Sequence, residues 1–460
     1  MKVPKPLQRK EIQFGKVNKL MSKASFLNEM LNNLLKKKTL FKSFKNSVDI
    51  NDNFSLEVLL QKVLKARGEA SSNIVSEQLF EKIENLDDKG LLGFFRDISK
   101  KFDIDSSKLL EAAKKYNQNN SAQNLEAVLE ISQPKRIEIL SKLNSSNKGT
   151  IRLVKLREKL FSFLKKYPDL KRVDNDFLKL FKNWFNSGFL ILKKIDWSTP
   201  ALILEKVIEY EAVHEINSWK DLRERLEPHD RLCFSFFHPS MQDEPLIFVV
   251  VALMDKVPEK IDDVLSKDRK ILTRGSETTA VFYSISNCQI GLKGISFGDF
   301  LIKQVANAIR KDYPNIKEFV TLSPVPGFMK WFKIKNPSLF NKINGTNSTK
   351  ILNSHKDEIL KNTLDYFFVS NRSDGFPNDS VTRFHLGNGA ILDRINFCAD
   401  TSAKALNSSA GIMVNYRYDL LNIDENHQMY FDEKKLNCSK SILLMKKQYQ
   451  DKKKLFNLSK

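Results

Sequence analysis

The segment from Leu246 to Met254 constrains the fold more than any other part of the chain. It reads LIFVVVALM, without a polar residue and rich in β-branched side chains. A strand of this kind has no polar face, so it belongs in the centre of a sheet that is covered on both sides. A membrane-spanning helix needs about 20 apolar residues. The segment therefore predicts a globular domain with a buried sheet, and we expect no membrane association.

Shorter apolar segments on either side predict further strands, at Cys233–Phe237, Ala280–Ser284 and Glu318–Leu322. Between the last two strands come a glycine-containing loop, NCQIGLKGISFG, and an amphipathic helix for which Asp299 is a good N-cap. Strand, loop, helix and strand form a βαβ-like unit whose loop amides and helix N-terminus favour an anion such as a pyrophosphate. The loop matches the pyrophosphate loop of acetyltransferases only loosely, so an ordinary turn stays open as the alternative.

Residues 1–190 have a different pattern. Leucines recur at helical spacing, as at Leu153, Leu156, Leu160 and Leu164, and Asp105 is a plausible N-cap. No polar constellation typical of catalysis occurs in this part. The pattern predicts an all-helical N-terminal scaffold or oligomerisation domain over residues 1–190 and a second domain over residues 191–460.

Composition narrows the class of protein. The 460 residues carry a net charge of +21, which is compatible with nucleic acid, an anionic membrane or a polyanionic small molecule as partner. The aromatic residues follow the apolar periodicity instead of interleaving with basic residues, so we expect no nucleic-acid binding. The 4 cysteines form no CxxC pair, and no histidine spacing suits zinc. A reducing compartment is expected, the cytoplasm with the mitochondrial matrix as the alternative, and no metal is expected.

Two residues stand out as candidates for chemistry. Ser323 follows a predicted strand, where open α/β sheets place ligands, and Pro324 fixes the turn behind it. No G-x-S-x-G elbow surrounds Ser323, so a hydrolase nucleophile is not indicated. His385 precedes Gly387-Asn388-Gly389, small residues that leave room for a ligand, although the residues alone favour a hydrogen-bonded core histidine. The other histidines, His214, His229, His355 and His427, have polar surroundings and are expected at the surface, with His238 in a turn.

Several long motifs occur in one order: HPSMQDEPLIFVVVAL, FYSIS, GLKGISFGDFLIKQV, TLSPVPGFMKW, RFHLGNGAILDRINF and GIMVNYRYDL. Together they closely resemble the malonyl-CoA decarboxylase family over about residues 190–420, where YEAVHEI also fits, and the resemblance extends more weakly into the helical N-terminal region. The resemblance implies an α+β chain, with an all-helical N-terminal domain followed by an acetyltransferase-like (GNAT-type) α/β catalytic domain.

The resemblance also implies site residues. Ser323 of the LSP-x-PGF motif and His385 of the FHL-x-NGA motif would be catalytic, and Ser284 and Tyr418 would line the site. The loop between strand and helix would bind malonyl-CoA through Lys293, Gly294, Ile295, Ser296, Phe297, Gly298 and Asp299. Two positions depart from the family: some members carry glutamate at Ser296, and glycine is common at Ala405, which is expected to lie in a loop.

The implied reaction suits these residue types. Loss of CO₂ from malonyl-CoA leaves an enolate of acetyl-CoA, and the thioester carbonyl accepts the electrons, so no cofactor is expected. His385 would act as a general acid because histidine titrates near neutrality, while Ser323 would bind the leaving carboxylate or relay a proton. A homo-oligomer assembled through the helical domain is expected. Two alternatives stay open: an acyl-CoA acetyltransferase of the same fold, and a basic nucleic-acid-binding scaffold.

Overall fold

The computed structural model of the chain describes residues 54–269, 271–295, 301–345 and 349–458, with side chains described as far as residue 450. The chain divides into two compact units, residues 1–180 and 181–460. No helix within the described ranges is long and apolar enough to cross a membrane.

The first unit is helical throughout its described part, as its leucine spacing predicts. Asp105 caps a helix as predicted, because its carboxylate accepts the backbone N–H groups of Ser107 and Lys108. Leu153, Leu156 and Leu160 are buried along one helix face. The helices are α1 (Leu56–Lys65), α2 (Glu69–Glu84), α3 (Asp88–Lys101), α4 (Ser106–Gln118), α5 (Ala122–Ile131), α6 (Lys135–Asn144), α7 (Gly149–Leu164) and α8 (Lys171–Trp184), the last of which continues past residue 180.

The second unit is built on a mixed sheet. Its strands are β1 (Ile191–Ile195), β2 (Arg231–Phe237), β3 (Pro245–Met254), β4 (Thr279–Asn287), β5 (Glu318–Thr321), β6 (Ser323–Pro324), β7 (Ile391–Asn396) and β8 (Met413–Tyr418). They follow the order β1-β2-β3-β4-β5-β8-β6, and β7 also pairs with β8. β3 lies between β2 and β4, and every residue of β3 except Met254 is buried. The prediction of a central strand with two covered faces is confirmed.

Helices connect the strands and cover the sheet. They are α9 (Ala201–Tyr210), α10 (Trp219–Leu226), α11 (Asp262–Leu265), α12 (Leu301–Asp312), α13 (Phe328–Lys335), α14 (Pro337–Ile343), α15 (Thr349–Ser354), α16 (Lys356–Phe368), α17 (Ser380–Gly387), α18 (Ala403–Ser409), α19 (Ile423–Glu433) and α20 (Lys440–Leu458). Helix α12 connects β4 to β5, which are parallel, as the predicted strand–loop–helix–strand unit requires. The predicted fold class, a helical region followed by a mixed α/β domain, is confirmed.

Strands β4 and β5 pair over only part of their length. Their last pair is Phe282 with Thr321, followed by a hydrogen bond from Leu322 N–H to the Phe282 carbonyl at 3.1 Å. Beyond this point β4 continues on β3, whereas Ser323 and Pro324 pair with β8. Among the described residues the sheet therefore splits between β4 and β6.

Candidate active site

Ser323 lies on β6, where pairing with β4 has ended and pairing with β8 continues. Its side chain is buried, with 6% of the residue exposed. Its hydroxyl donates to Thr321 Oγ1 at 2.9 Å and lies 3.1 Å from His385 Nε2. Residues 62 positions apart are thus brought into hydrogen-bond contact by the fold.

His385 reaches Ser323 from the last turn of α17. Only 3% of the residue is exposed, and the imidazole is bonded at both nitrogens. Nε2 meets Ser323 Oγ, and Nδ1 lies 2.7 Å from the Tyr418 hydroxyl on β8. The ring also stacks on Tyr416, with centroids 4.5 Å apart and planes 25° apart. The imidazole is therefore held on three sides.

The hydrogen-bond partners assign the proton positions. Burial keeps the pKa of Tyr418 well above its ordinary value, so its phenol is protonated. His385 Nδ1 is the only hydrogen-bond acceptor that the described residues offer this phenol, so Tyr418 donates to Nδ1. The proton of the neutral imidazole then sits on Nε2 and is donated to Ser323, whose own proton goes to Thr321. The donors run in one direction, from Tyr418 through His385 and Ser323 to Thr321.

This direction is opposite to that of a serine hydrolase, in which the histidine accepts the serine proton. Burial also lowers the pKa of His385 to about 3. The imidazole is therefore neutral in this structure, and the expected titration near neutrality is wrong for it. A carboxylate placed beside the ring would raise that pKa, because an opposite charge favours the imidazolium.

Ser284 has a different hydrogen-bond partner. Its hydroxyl donates to the two carboxylate oxygens of Glu211, at 2.7 and 2.8 Å, and the residue is 1% exposed. Glu211 also accepts the backbone N–H groups of Val213 and His214. No hydrogen bond joins Ser284 to Ser323 or His385 within the described part of the chain. Ser284 does lie on the strand that forms the other side of the split, two residues past the last β4–β5 pair at Phe282.

The predicted anion loop is described only in part. Lys293 is exposed, Ile295 is buried, and Gly294 has a φ of 84°. That backbone conformation favours glycine, which suits a loop whose amides approach a ligand. The other predicted loop residues, Ser296, Phe297, Gly298 and Asp299, lie outside the described residues.

Two sequence expectations outside the site are wrong. His214 is partly buried and not free at the surface: its Nε2 is buried without a hydrogen-bond partner among the described residues, and burial lowers its pKa to about 4. Ala405 lies in helix α18, not in a loop, and its backbone carbonyl accepts from Ser409 Oγ.

Three residues that contact the predicted site residues were not predicted from the sequence. Thr321 accepts from Ser323, Tyr416 stacks on His385, and Glu211 binds Ser284. Two of them lie inside motifs that carry the family resemblance: Tyr416 in NYRY and Glu211 in YEAVHEI.

Comparison with known proteins places this site in a family. A family model of the malonyl-CoA decarboxylase C-terminal domain matches residues 188–455, and one of the N-terminal domain matches residues 102–185. The solved malonyl-CoA decarboxylase of Rhodopseudomonas palustris is 42% identical, with a TM-score of 0.81 over 84% of this chain and 98% of that chain. The Agrobacterium vitis structure is also 42% identical, with a TM-score of 0.80 over 85% and 99%.

A curated relative, the mitochondrial malonyl-CoA decarboxylase of the goose Anser anser anser, is 33% identical over 322 residues, which is 63% of this chain. The matched region spans 64% of that relative's length, slightly under two thirds. The match to the C-terminal domain model covers more than half of the chain and includes every described residue of the Ser323–His385–Tyr418 site. The chain belongs to the malonyl-CoA decarboxylase family.

Proposed function

We propose that this chain converts malonyl-CoA to acetyl-CoA and CO₂. The observation that carries the proposal is the buried row of donors from Tyr418 through His385 to Ser323. Decarboxylation ends with a proton delivered to carbon, and this row can supply one. The family membership of the chain and the names of its relatives support malonyl-CoA as the substrate.

In the proposed reaction the bond between the α-carbon and the carboxylate breaks first. Its electron pair moves into the thioester carbonyl, which becomes the enolate oxygen, and CO₂ leaves. Hydrogen-bond donors that are already in place stabilise such an oxyanion without the cost of reorganising solvent. A thioester seated at the split between β4 and β6 would lie beside Ser323, which is the residue on that strand with a polar side chain.

The enolate carbon then takes a proton from the Ser323 hydroxyl. His385 restores that proton from Nε2, and Tyr418 restores the imidazole through Nδ1. The phenolate left at Tyr418 recovers a proton from solvent. Each transfer runs along a hydrogen bond of the structure, at 3.1 Å and 2.7 Å, and the net reaction consumes one proton for each CO₂ released.

The anion loop is proposed to bind the phosphates of coenzyme A. Lys293 supplies an exposed positive charge, and Gly294 supplies a backbone that a ligand can approach closely. We also propose that Ser284, whose proton is donated to Glu211, contributes only an acceptor oxygen to the substrate. The amide N–H groups of the pantetheine arm would suit such an acceptor.

The experiment is a mass measurement on the purified full chain. Malonyl-CoA is incubated with the protein in D₂O, and unreacted malonyl-CoA serves as the control for exchange of its own methylene protons. We expect acetyl-CoA carrying one more deuterium than exchange explains. Free malonate with coenzyme A would indicate hydrolysis, and consumption of acetyl-CoA by an added amine would indicate an acetyltransferase; either result without acetyl-CoA formation contradicts the proposal.

We further propose that residues 1–190 mediate self-association and that the protein acts in a reducing compartment, the cytoplasm. Leu110 and Leu129 on α4 and α5 are 57% and 61% exposed, which leaves apolar surface that a second copy could cover. The four cysteines carry free thiols, which suits the proposed reducing compartment. Light scattering of the full chain tests the first proposal: we expect an oligomer, and a monomer at micromolar concentration contradicts it.

A further inference from the structure

Asp379 is a buried carboxylate to which the proposed reaction gives no role. Only 2% of the residue is exposed. It is the N-cap of α17, the helix that carries His385. Its Oδ1 accepts the Thr382 backbone N–H at 2.8 Å and the Thr382 hydroxyl at 3.0 Å. The carboxylate therefore fixes the first turn of this short helix.

The same carboxylate reaches the loop that follows Ser323. Gly327, the last residue of the SPVPG segment, packs beside it: a Cβ at this position would lie 3.6 Å from Asp379 Oδ2. Gly327 is also the N-cap of α13 and has no side chain with which to cap it. The N-termini of α13 and α17 thus converge on one carboxyl group. The positive ends of two helix dipoles favour its negative charge, although burial outweighs them and raises the pKa of Asp379 above its ordinary value.

Gly327 and Tyr366 pack tightly around Asp379, at the place where the Ser323 loop meets α17; we call this place the junction. A Cβ at Gly327 would lie 2.2 Å from the Tyr366 hydroxyl, so a larger residue has no room. The Tyr366 hydroxyl in turn lies 3.5 Å from Asp379 Oδ2. The serine loop can approach the carboxylate only because position 327 lacks a side chain.

The junction continues to the catalytic imidazole through Thr382. Its hydroxyl gives its proton to Asp379, so it accepts from the Tyr416 hydroxyl, 2.8 Å away. The Tyr416 ring is the one that stacks on His385, with centroids 4.5 Å apart. Asp379 thereby packs against the Ser323 loop at Gly327 and is connected to His385 by a row of two hydrogen bonds and a ring stack.

We propose that Asp379 is a positioning residue, which holds the loop that carries Ser323 and the helix that carries His385 at the 3.1 Å contact between them. The proposal rests on the proposed decarboxylase function. It differs from a capping role alone, because a cap would stabilise α17 without setting the Ser323–His385 distance. A misplacement of about 1 Å at reacting groups costs roughly 10²-fold in rate.

The first test replaces Asp379 by asparagine in the full chain and measures kcat and KM for malonyl-CoA. Asparagine keeps the size of the side chain, but its amide N–H groups would face groups that now donate to Asp379, such as the Thr382 N–H and hydroxyl. We expect kcat to fall roughly 10- to 100-fold while KM stays within about threefold. The matched control is Asp230→Asn, a carboxylate of similar burial at 4% exposure that pairs with Arg231. This control should keep the wild-type kcat.

A double variant separates positioning from general destabilisation. In the His385→Asn background there is no imidazole to position, so adding Asp379→Asn should change kcat by less than about twofold. A role confined to stability would instead lower the active fraction equally in both backgrounds. Equal losses in both backgrounds, or wild-type kcat in Asp379→Asn alone, overturn the proposal.

Variants of Thr382 keep the test decisive if Asp379→Asn does not fold. Thr382→Val removes the hydroxyl between Asp379 and Tyr416 but keeps the backbone N–H that is capped. We expect a fall in kcat with Thr382→Val and recovery with Thr382→Ser, and wild-type kcat in Thr382→Val refutes the proposal. If the wild-type chain does not decarboxylate malonyl-CoA, the proposed function fails and this inference fails with it; normal wild-type turnover with silent variants refutes the inference alone.

Discussion

Replacing Tyr418 by phenylalanine tests the direction of proton donation most directly. The change removes only the hydroxyl that lies 2.7 Å from His385 Nδ1 and leaves the ring that packs against Phe282. Nδ1 then becomes a buried acceptor without a donor among the described residues. The imidazole can relieve this by moving its proton to Nδ1, which turns Nε2 into an acceptor and reverses the bond to Ser323.

The expected loss is the free energy needed to return the proton to Nε2 for reaction, because that tautomer leaves Nδ1 a buried acceptor without a donor. Leaving a buried acceptor unsatisfied costs about 1–3 kcal/mol, and each 1.36 kcal/mol is tenfold in rate. We therefore expect kcat for malonyl-CoA to fall about 5- to 150-fold. KM should change little, because Tyr418 is 2% exposed and bonds to His385.

The assay is steady-state formation of acetyl-CoA by Tyr418→Phe beside a matched variant. Tyr430→Phe is the control, because the Tyr430 hydroxyl is buried and has no hydrogen-bond partner within the described residues. Both variants should fold, and only Tyr418→Phe should lose kcat. Wild-type kcat in Tyr418→Phe refutes the assigned proton direction, and an equal loss in both variants would mean that the effect is one of packing.

Three further predictions concern pH, the loop and metal. Because burial lowers the pKa of His385 to about 3, the unfolded chain binds a proton below about pH 6.5 that the folded chain does not. The free energy of unfolding should therefore fall on the order of 2 kcal/mol from pH 7.5 to pH 5. Urea titrations of His385→Asn at the two pH values should lack this part of the decrease. Gly294→Val should raise the KM for malonyl-CoA strongly, whereas Gly275→Val, at a similar φ of 93° in open space, should not; an unchanged KM in Gly294→Val would place the coenzyme A phosphates elsewhere. Turnover should persist in EDTA, and its loss in the chelator with recovery on adding metal would contradict a reaction without a cofactor.

Sequence periodicity predicted the fold well where burial is uniform. The run from Leu246 to Met254 specified a central strand because no other position in a sheet accepts two apolar faces. Asp105 was predicted as a cap because capping depends on neighbours two and three residues away. Ala405 was misplaced because a single substitution relative to a family carries no periodic signal for the helix around it.

The candidate site was only partly predictable for the same reason. The residues alone left His385 open between a ligand site and a core histidine, and the motifs resolved the choice by resemblance. Asp379 and Glu211 were missed because each contacts groups far away in the sequence: Asp379 packs beside Gly327 and Glu211 accepts from Ser284, and only the fold brings these pairs close. The low pKa of His385 follows from complete burial, which no local pattern around it reveals.

One residue of the serine motif explains why the site lies where it does. On β5 and its continuation, alternate backbone N–H groups face β4, and that of Leu322 makes the last such bond, to Phe282. The next position on this side is Pro324, which has no N–H to donate. Pairing with β4 therefore ends there while pairing with β8 continues, and Ser323 stands between the last bonded residue and the proline. The proline that follows the serine thus opens the sheet beside it, so the same short motif supplies both the hydroxyl and the gap in which we propose that a thioester binds.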